Sequence, residues 1–294
     1  MSTPLLLTPG PWPDYEYIDA GRGEKLERFG KVLVRRPEPQ AVWDYNLAES
    51  EWKAAQAWFQ KQPGSEEKGR WALKPNTPEK WWIEYPSEAG AIKFKISLSS
   101  FKHVGIFPEQ APNWDYAIEQ CRRLGPSQVL NLFAYTGGAS LAASTAGATV
   151  THVEAIKQTV GWARENADAQ NLTTIRWLED DALRFTEREV RRGRKYQGLI
   201  LDPPAYGRGP NGEKWILEEH LLPLMEACAQ LLDPSRGFII LNLYSLGYSP
   251  LIGKNIAEQC LKKAIGHIPE GAQFGELCVG NMALPLGTFY RVGW

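Results

Sequence analysis

The 294-residue chain lacks a Cys-x-x-Cys pair, a long hydrophobic run and an excess of charge of either sign. Its four cysteines, Cys121, Cys228, Cys260 and Cys278, are widely scattered, which argues against a zinc site and against a disulfide framework. No metal is expected. No window reaches the roughly 18 apolar residues that a membrane span needs, so no membrane association is expected either. The opening "MSTPLLLTPGPWPDY" carries three consecutive leucines and no basic stretch before them. No signal peptide is therefore expected, and a reducing cytoplasm is the expected location. Lys and Arg number 33 against 34 Asp and Glu, a net charge of -1, which excludes a global nucleic-acid footprint. Basic side chains do cluster locally, at Arg22, Lys25, Arg28, Lys31, Arg35 and Arg36, and again from Arg184 to Lys195. Either group is able to track a phosphate backbone; the second also suits a solvated helix face.

What is present changes texture near residue 115. Before it tryptophan is dense, at Trp12, Trp43, Trp52, Trp58, Trp71, Trp81, Trp82 and Trp114. Alternating runs such as "KVLVRR" and "AIKFKISL" read as antiparallel strands between Pro- and Gly-containing turns, with "SEEKG" and "KPNTPEK" as loops. Residues 1–114 are expected to form a small β-rich domain. Its tryptophans suit base stacking, but among strands such side chains more often fill a core.

From 115 to 294 apolar runs alternate with helix-length segments: "QVLNLFAY", "ATVTHVEA", "TIRWLE", "GLILD" and "GFIILNLY". That alternation predicts an α/β domain, a parallel sheet with helices on both faces. "IKQTVGWARENADAQNL" places Val160, Ala163 and Ala167 on one helical face, and "EEHLLPLMEACAQLL" does so with Leu221, Leu224, Met225, Cys228 and Leu232. "AQFGELCVG" and "PLGTFYRVGW" read as a final strand pair joined through "NMALP". Ligands of such sheets bind at the carboxyl ends of the strands. The first strand ends in Tyr135-Thr136-Gly137-Gly138 before a helix, the second in Glu154, where a carboxylate meets ribose hydroxyls. The third ends in Asp180-Asp181 and the fourth in Asp202-Pro203-Pro204-Ala205-Tyr206. Asp181 also suits a helix cap. An NAD-binding dehydrogenase shares the strand, turn and acid, yet the turn lacks Gly-x-Gly-x-x-Gly.

With "VLNLFAYTGGAS", "THVEA", "EDDALRF", "LDPPAY" and the upstream "KHVGIFPEQAPNW", the chain resembles the class I S-adenosylmethionine-dependent methyltransferases. It most resembles the subgroup containing the large-subunit ribosomal RNA methyltransferases. The resemblance covers about residues 100–294 and implies a Rossmann-like seven-stranded sheet with S-adenosylmethionine as cofactor. The upstream segment is similar to a Gly-x-Phe-x-x-Gln element, here Gly105, Phe107 and Gln110. By that resemblance Asn131, Tyr135, Thr136, Gly137 and Gly138 cradle the methionine part, Glu154 the ribose, and Asp181 the adenine amine, with Ala182 leaving room for the ring. The β-rich part is similar to the family's substrate-side domain, and RNA, ribosomal RNA in particular, is the implied partner. A separate N-terminal RNA-binding module that many relatives carry is not expected within these 294 residues.

Asp202, Pro203 and Tyr206 are the expected catalytic residues. The two prolines stiffen the strand end and leave carbonyls free to accept hydrogen bonds from an amine. Asp202 helps to hold that amine, and Tyr206 stacks on the ring that bears it. "GRGPNGEKW" is expected to be a mobile flap whose Arg208 and Lys214 meet phosphates. A proline turn with a packed tyrosine is the plainer alternative. Relatives that methylate carbon 5 of cytosine carry a cysteine after strand five; here Asn242-Leu243-Tyr244-Ser245 stands there. Carbon 5 needs covalent activation, so a nitrogen acceptor is expected, with oxygen as the alternative. Small-molecule or protein methylation, and a non-catalytic binding protein of the same fold, stay open.

Overall fold

The computed structural model describes residues 3–64, 68–244, 247–281 and 283–294. Ser245 after strand five, residues 65–67 of the "SEEKG" loop and Met282 of "NMALP" lie outside the described residues.

After a short strand β1 (Leu5–Leu7), the chain forms β2 (Tyr15–Gly21), β3 (Glu24–Phe29) and β4 (Val32–Pro37) as an antiparallel meander. Arg22 and Gly23 turn β2 into β3 with φ of 49° and 77°, the left-handed pair that matches the twist of a tight hairpin. A helix α1 (Glu49–Lys53) then leads to β5 (Ala57–Lys61), which pairs parallel to β4, and to β6 (Gly69–Leu73). The expected all-antiparallel arrangement thus has one exception, made possible by the α1 crossover. A long hairpin, β7 (Lys80–Ser87) and β8 (Gly90–Ser97), follows. Trp12, Trp52 and Trp114 are buried and Trp43, Trp71 and Trp81 pack partly buried against cores. Trp82 alone among the tryptophans is exposed, at 47%.

A single turn at Pro108–Gln110 opens the second half. It continues through α2 (Ala111–Leu124), β9 (Gln128–Leu132), α3 (Gly138–Thr145), β10 (Thr149–Glu154), α4 (Lys157–Asp168), β11 (Ile175–Glu179) and α5 (Ala182–Arg191). Next come β12 (Gly198–Leu201), a hairpin of β13 (Tyr206–Arg208) and β14 (Lys214–Ile216), α6 (Leu217–Leu231), β15 (Phe238–Leu243) and α7 (Pro250–Ile265). The antiparallel pair β16 (Gln273–Val279) and β17 (Leu284–Gly293) closes the sheet.

The sheet order is β1-β16-β17-β15-β12-β9-β10-β11. Seven of these strands are the expected ones; the eighth, β1, pairs parallel to β16 from the far end of the chain, Leu5 opposite Gly275. Glycine is required there by close approach, since a Cβ at 275 would stand 1.9 Å from the Leu5 carbonyl oxygen. The central strands are buried on both faces, which is why their sequences are continuous apolar runs. One core packs α2 and α3 with the β7–β8 hairpin against one face of the sheet; another packs α5, α6 and α7 against the other. Strand order reverses on either side of β9, where β10 and β12 diverge, and a crevice opens at that point.

Candidate active site

The crevice is built first by backbone. Phe133, Tyr135 and Gly137 all take left-handed φ, at 54°, 50° and 95°. For the two non-glycine residues this costs about 1–3 kcal/mol each. The turn is held by Glu154 at the end of β10, whose Oε2 accepts the Tyr135 N–H at 3.0 Å while Oε1 accepts the Ile156 N–H at 3.0 Å. Burial pushes the Glu154 carboxyl above its ordinary range, and these backbone donors oppose that. Thr136 donates its hydroxyl to the Gly105 carbonyl at 2.6 Å, and the Phe107 and Tyr135 rings meet at 5.2 Å. Gly105 is at φ 102°, and a Cβ there would lie 2.1 Å from Trp162. Behind the turn, Asn131 donates to Ser140 at 2.8 Å, and Ser140 lies 3.0 Å from His152 Nδ1. Burial lowers His152 to about 3, so it is a neutral member of this network.

The other walls come from the next strand ends. Asp181 caps α5, accepting the Arg184 N–H at 2.9 Å, so the capping role holds while the residue also faces the crevice. Asp180 pairs with Arg188. After β12, burial and then the negative charge of Glu109 raise Asp202 to about 7. The Pro204 carbonyl accepts the Trp215 indole N–H at 2.6 Å, so it is not free in the way the double proline alone suggests. Tyr206 is 55% exposed. The segment expected to be a mobile flap forms the β13–β14 hairpin. Trp215 anchors its base against Phe133 at 4.7 Å, and Glu213 ties its far end to Arg184 at 2.8 Å.

These elements enclose a cavity of about 560 Å³. Phe107, Gln110, Tyr135, Glu154, Asp181, Asp202, Tyr206 and Arg208 all line it. Asn131, Thr136 and Gly138 line a smaller space of about 50 Å³ beneath the turn. Gly137, Pro203 and Lys214 line neither. Gly137 bends the chain, Pro203 is buried behind Asp202, and Lys214 is exposed on the hairpin opposite Arg208. Glu109, Phe133 and Trp215 also line the cavity and were not singled out from the sequence. Trp215 had a signal, since "YGR" and "KWI" flank the Gly-Pro-Asn-Gly turn.

The basic clusters are largely spent on internal pairs. Arg22 reaches Asp44, Arg28 reaches Glu16, Arg35 reaches Glu24 and Arg36 reaches Glu27, at 2.5–3.1 Å. In the second cluster Arg192 pairs with Glu189, and Lys195 donates to the carbonyls of Gln230 and Leu232. Arg191 and Arg194 are exposed.

No family model matches the chain. A crystal structure of an S-adenosylmethionine-dependent methyltransferase from Agrobacterium tumefaciens is 34% identical, covering 99% of this chain and 93% of that one with a TM-score of 0.87. The chain belongs to the S-adenosylmethionine-dependent methyltransferases. Among curated proteins, the ribosomal RNA large subunit methyltransferase K/L of Shewanella frigidimarina is 26% identical over 164 residues, 54% of this chain and 22% of its own length. The ribosomal RNA large subunit methyltransferase I of Aeromonas salmonicida is 23% identical over 222 residues, 70% of this chain and 51% of its own length. The methyltransferase thus spans about a fifth and about half of these two relatives. Among the described residues no helix is long and apolar enough to cross a membrane, and no cluster of His, Cys, Asp and Glu is arranged to hold a metal ion.

The cavity fits the cofactor. Carboxylates stand at the ends of β10 and β12 and just after β11, suited to hydroxyls, an amine and a cation, and Val153, Ile156 and Ala182 supply apolar wall for a ring. All four cysteines are buried and unpaired, burial pushes their thiols up, and none lines the cavity. Changing each singly to alanine is expected to leave single-turnover methyl transfer within about threefold while costing about 1 kcal/mol of stability. Loss of transfer in a folded variant would bring a sulfur into the reaction.

Proposed function

We propose that the methyltransferase acts on RNA, ribosomal RNA in particular, at a nitrogen of a base. The observation that carries this reading is the end of β12: Asp202 faces the cavity beside Tyr206, an exposed aromatic placed to stack on a flat ring. The names of the curated relatives support RNA as the substrate class, and the absence of a thiol from the cavity wall supports nitrogen over cytosine carbon 5.

S-adenosylmethionine, when bound, supplies an electrophilic methyl carbon on a sulfonium. The protein's own part is to orient and to exclude water. Tyr135, with Gly137 and Gly138 shaping the turn, flanks the methionine end together with Phe107, Gln110 and Asn131. Thr136 fixes that turn to Gly105. Glu154 takes the ribose hydroxyls and Asp181 the adenine amine. Asp202 accepts a hydrogen bond from the acceptor N–H, Pro203 stiffens its position, and Tyr206 stacks on the base. Arg208 and Lys214 on the hairpin meet backbone phosphates.

Glu154→Ala is expected to weaken cofactor binding by about 1.5–3 kcal/mol, the range for hydrogen bonds to a charged group. It also removes the acceptor that steadies Tyr135, so melting temperature should fall with it. Calorimetry showing unchanged affinity would remove Glu154 from the cofactor site. For the reaction, labelled S-adenosylmethionine is incubated with fractionated RNA, protein and metabolites from cells lacking the gene. Label should enter RNA and appear in an N-methylated nucleoside after digestion. Label in protein or in a metabolite would overturn the RNA reading, and the internal pairing of the basic clusters is the feature that would then explain it.

A further inference from the structure

Asn242, the penultimate residue of β15, is 4% exposed and lines both the large cavity and the smaller space beneath the turn. Leu241 pairs with Leu201 and Tyr244 with Pro204, so Asn242 lies opposite Asp202 on the neighbouring parallel strand. Side chains in that relation point to the same side of a sheet, on strands about 4.8 Å apart.

The Asn242 amide is held by a chain of donors that runs in one direction. Arg291 on β17 is buried, lies 4.5 Å over the Tyr116 ring, and donates to the Pro112 carbonyl at 2.7 Å and to Asn113 Oδ1 at 3.1 Å. A guanidinium only donates, so the oxygen of the Asn113 amide faces it and the nitrogen faces away. That nitrogen donates to Asn242 Oδ1 at 2.7 Å and to Gln110 Oε1 at 3.3 Å. The oxygen of Asn242 is thereby taken, and its Nδ2 has no hydrogen-bond partner among the described residues. A buried amide nitrogen left over at a cavity wall calls for a ligand atom.

We propose that Asn242 donates a hydrogen bond from Nδ2 to the methyl acceptor, beside the N–H that Asp202 accepts, and so selects a nitrogen group whose neighbouring ring atom carries a lone pair. The inference rests on the reading that the acceptor is a base nitrogen. Two adjacent hydrogen bonds of opposite sense fix both the position and the plane of a flat ring, as a bidentate amide does on a base edge. Arg291 and Asn113 are positioning residues, since they decide which end of the Asn242 amide faces the cavity. Turning that amide over would set its Nδ2 against the Asn113 nitrogen, two donors with no acceptor between them. Sheet order favours the acceptor over the cofactor as the partner of Nδ2: β12 separates β15 from β9 and β10, whose ends carry the turn and Glu154.

The test uses the full chain with total RNA from cells lacking the gene as acceptor. Asn242→Ala should lower kcat/KM for RNA by roughly 5- to 150-fold, with S-adenosylmethionine affinity by calorimetry within about twofold of wild type. Asn242→Asp keeps the shape but sets an oxygen against the acceptor's lone pair, and should lower kcat/KM at least as far. Asn113→Asp keeps an oxygen for Arg291 but offers Asn242 and Gln110 an acceptor, so both amides turn over. It should lose RNA transfer as Asn242→Asp does, and cofactor affinity as well through Gln110, in a chain that melts as a folded protein. Transfer at the wild-type rate in Asn242→Asp, or cofactor affinity falling in step with transfer in Asn242→Ala, would overturn the proposal. N-methylated RNA formed at the wild-type rate by the Asn242 variants would sink this donor alone. Should wild type label protein in place of RNA, the RNA reading falls, and the same comparison on the labelled protein decides the donor by the same outcomes.

Discussion

Asp202→Asn is expected to slow single-turnover methyl transfer by roughly 10²–10⁴-fold, the range over which a positioned proton acceptor contributes. The amide keeps the shape of the side chain and a hydrogen-bond acceptor but cannot take a proton. Wild-type activity should rise with pH through about 7, where Asp202 loses its proton, and the residual activity of the variant should lack that step. The same shift fixes the sign for stability. A carboxyl whose pKa is raised on folding stabilises the native state below its unfolded pKa, and that contribution is lost as pH rises through the folded value. The melting temperature of Asp202→Asn relative to wild type should therefore climb between pH 4 and about 7. A flat difference, or a variant with normal turnover, would remove Asp202 from proton transfer.

Tyr206→Ala is expected to lower turnover by about fivefold to 150-fold, the equivalent of the 1–3 kcal/mol that base–aromatic stacking contributes. Cofactor affinity should stay unchanged if, as proposed, the ring meets the acceptor and not the cofactor. The plainer account, a tyrosine packed under a proline turn, predicts a lower melting temperature and normal specific activity. At 55% exposure Tyr206 has little packing to lose, so the melting temperature should move by no more than a degree or two. A destabilised but fully active variant would make the loop scaffolding. Binding, melting and single-turnover transfer measured on one sample separate the two accounts.

The sheet was legible because its central strands are buried on both faces and written as mainly apolar runs. The order of strand ends carried much of the cavity wall in the same way: a turn, then Glu154, Asp181 and Asp202, each at or just beyond the end of a strand. Four things were not legible. Whether Arg36 or Lys25 faces a phosphate or a buried glutamate depends on pairing across β3 and β4, and charge counts along a chain hold no such information. The fate of the Pro204 carbonyl depends on Trp215, eleven residues on, folding back across a hairpin. Glu109 was passed over because a lone acid inside "GIFPEQ" has no local partner; its interest comes from burial and from its place in the cavity wall. β1 was also missed, as three leucines between prolines give neither a periodicity nor a length that marks a sheet strand.

β1 has a consequence for how the molecule comes into being. Its partner β16 lies some 270 positions later, Leu5 opposite Gly275. During synthesis at roughly 5–20 residues per second, the leucines of β1 wait for on the order of tens of seconds before their partner exists. Leu5 and Leu6 stay 38% and 66% exposed even in the finished fold. The β-rich half can collapse on its own contacts in that interval, whereas the edge of β16 stays uncovered until β1 docks on it. Covering that edge is a contact of very high sequence separation, and such contacts are slow to form. Docking of β1 replaces the seven-residue edge of β16 by one of three residues, and a short edge is less open to strand-to-strand association with neighbouring chains.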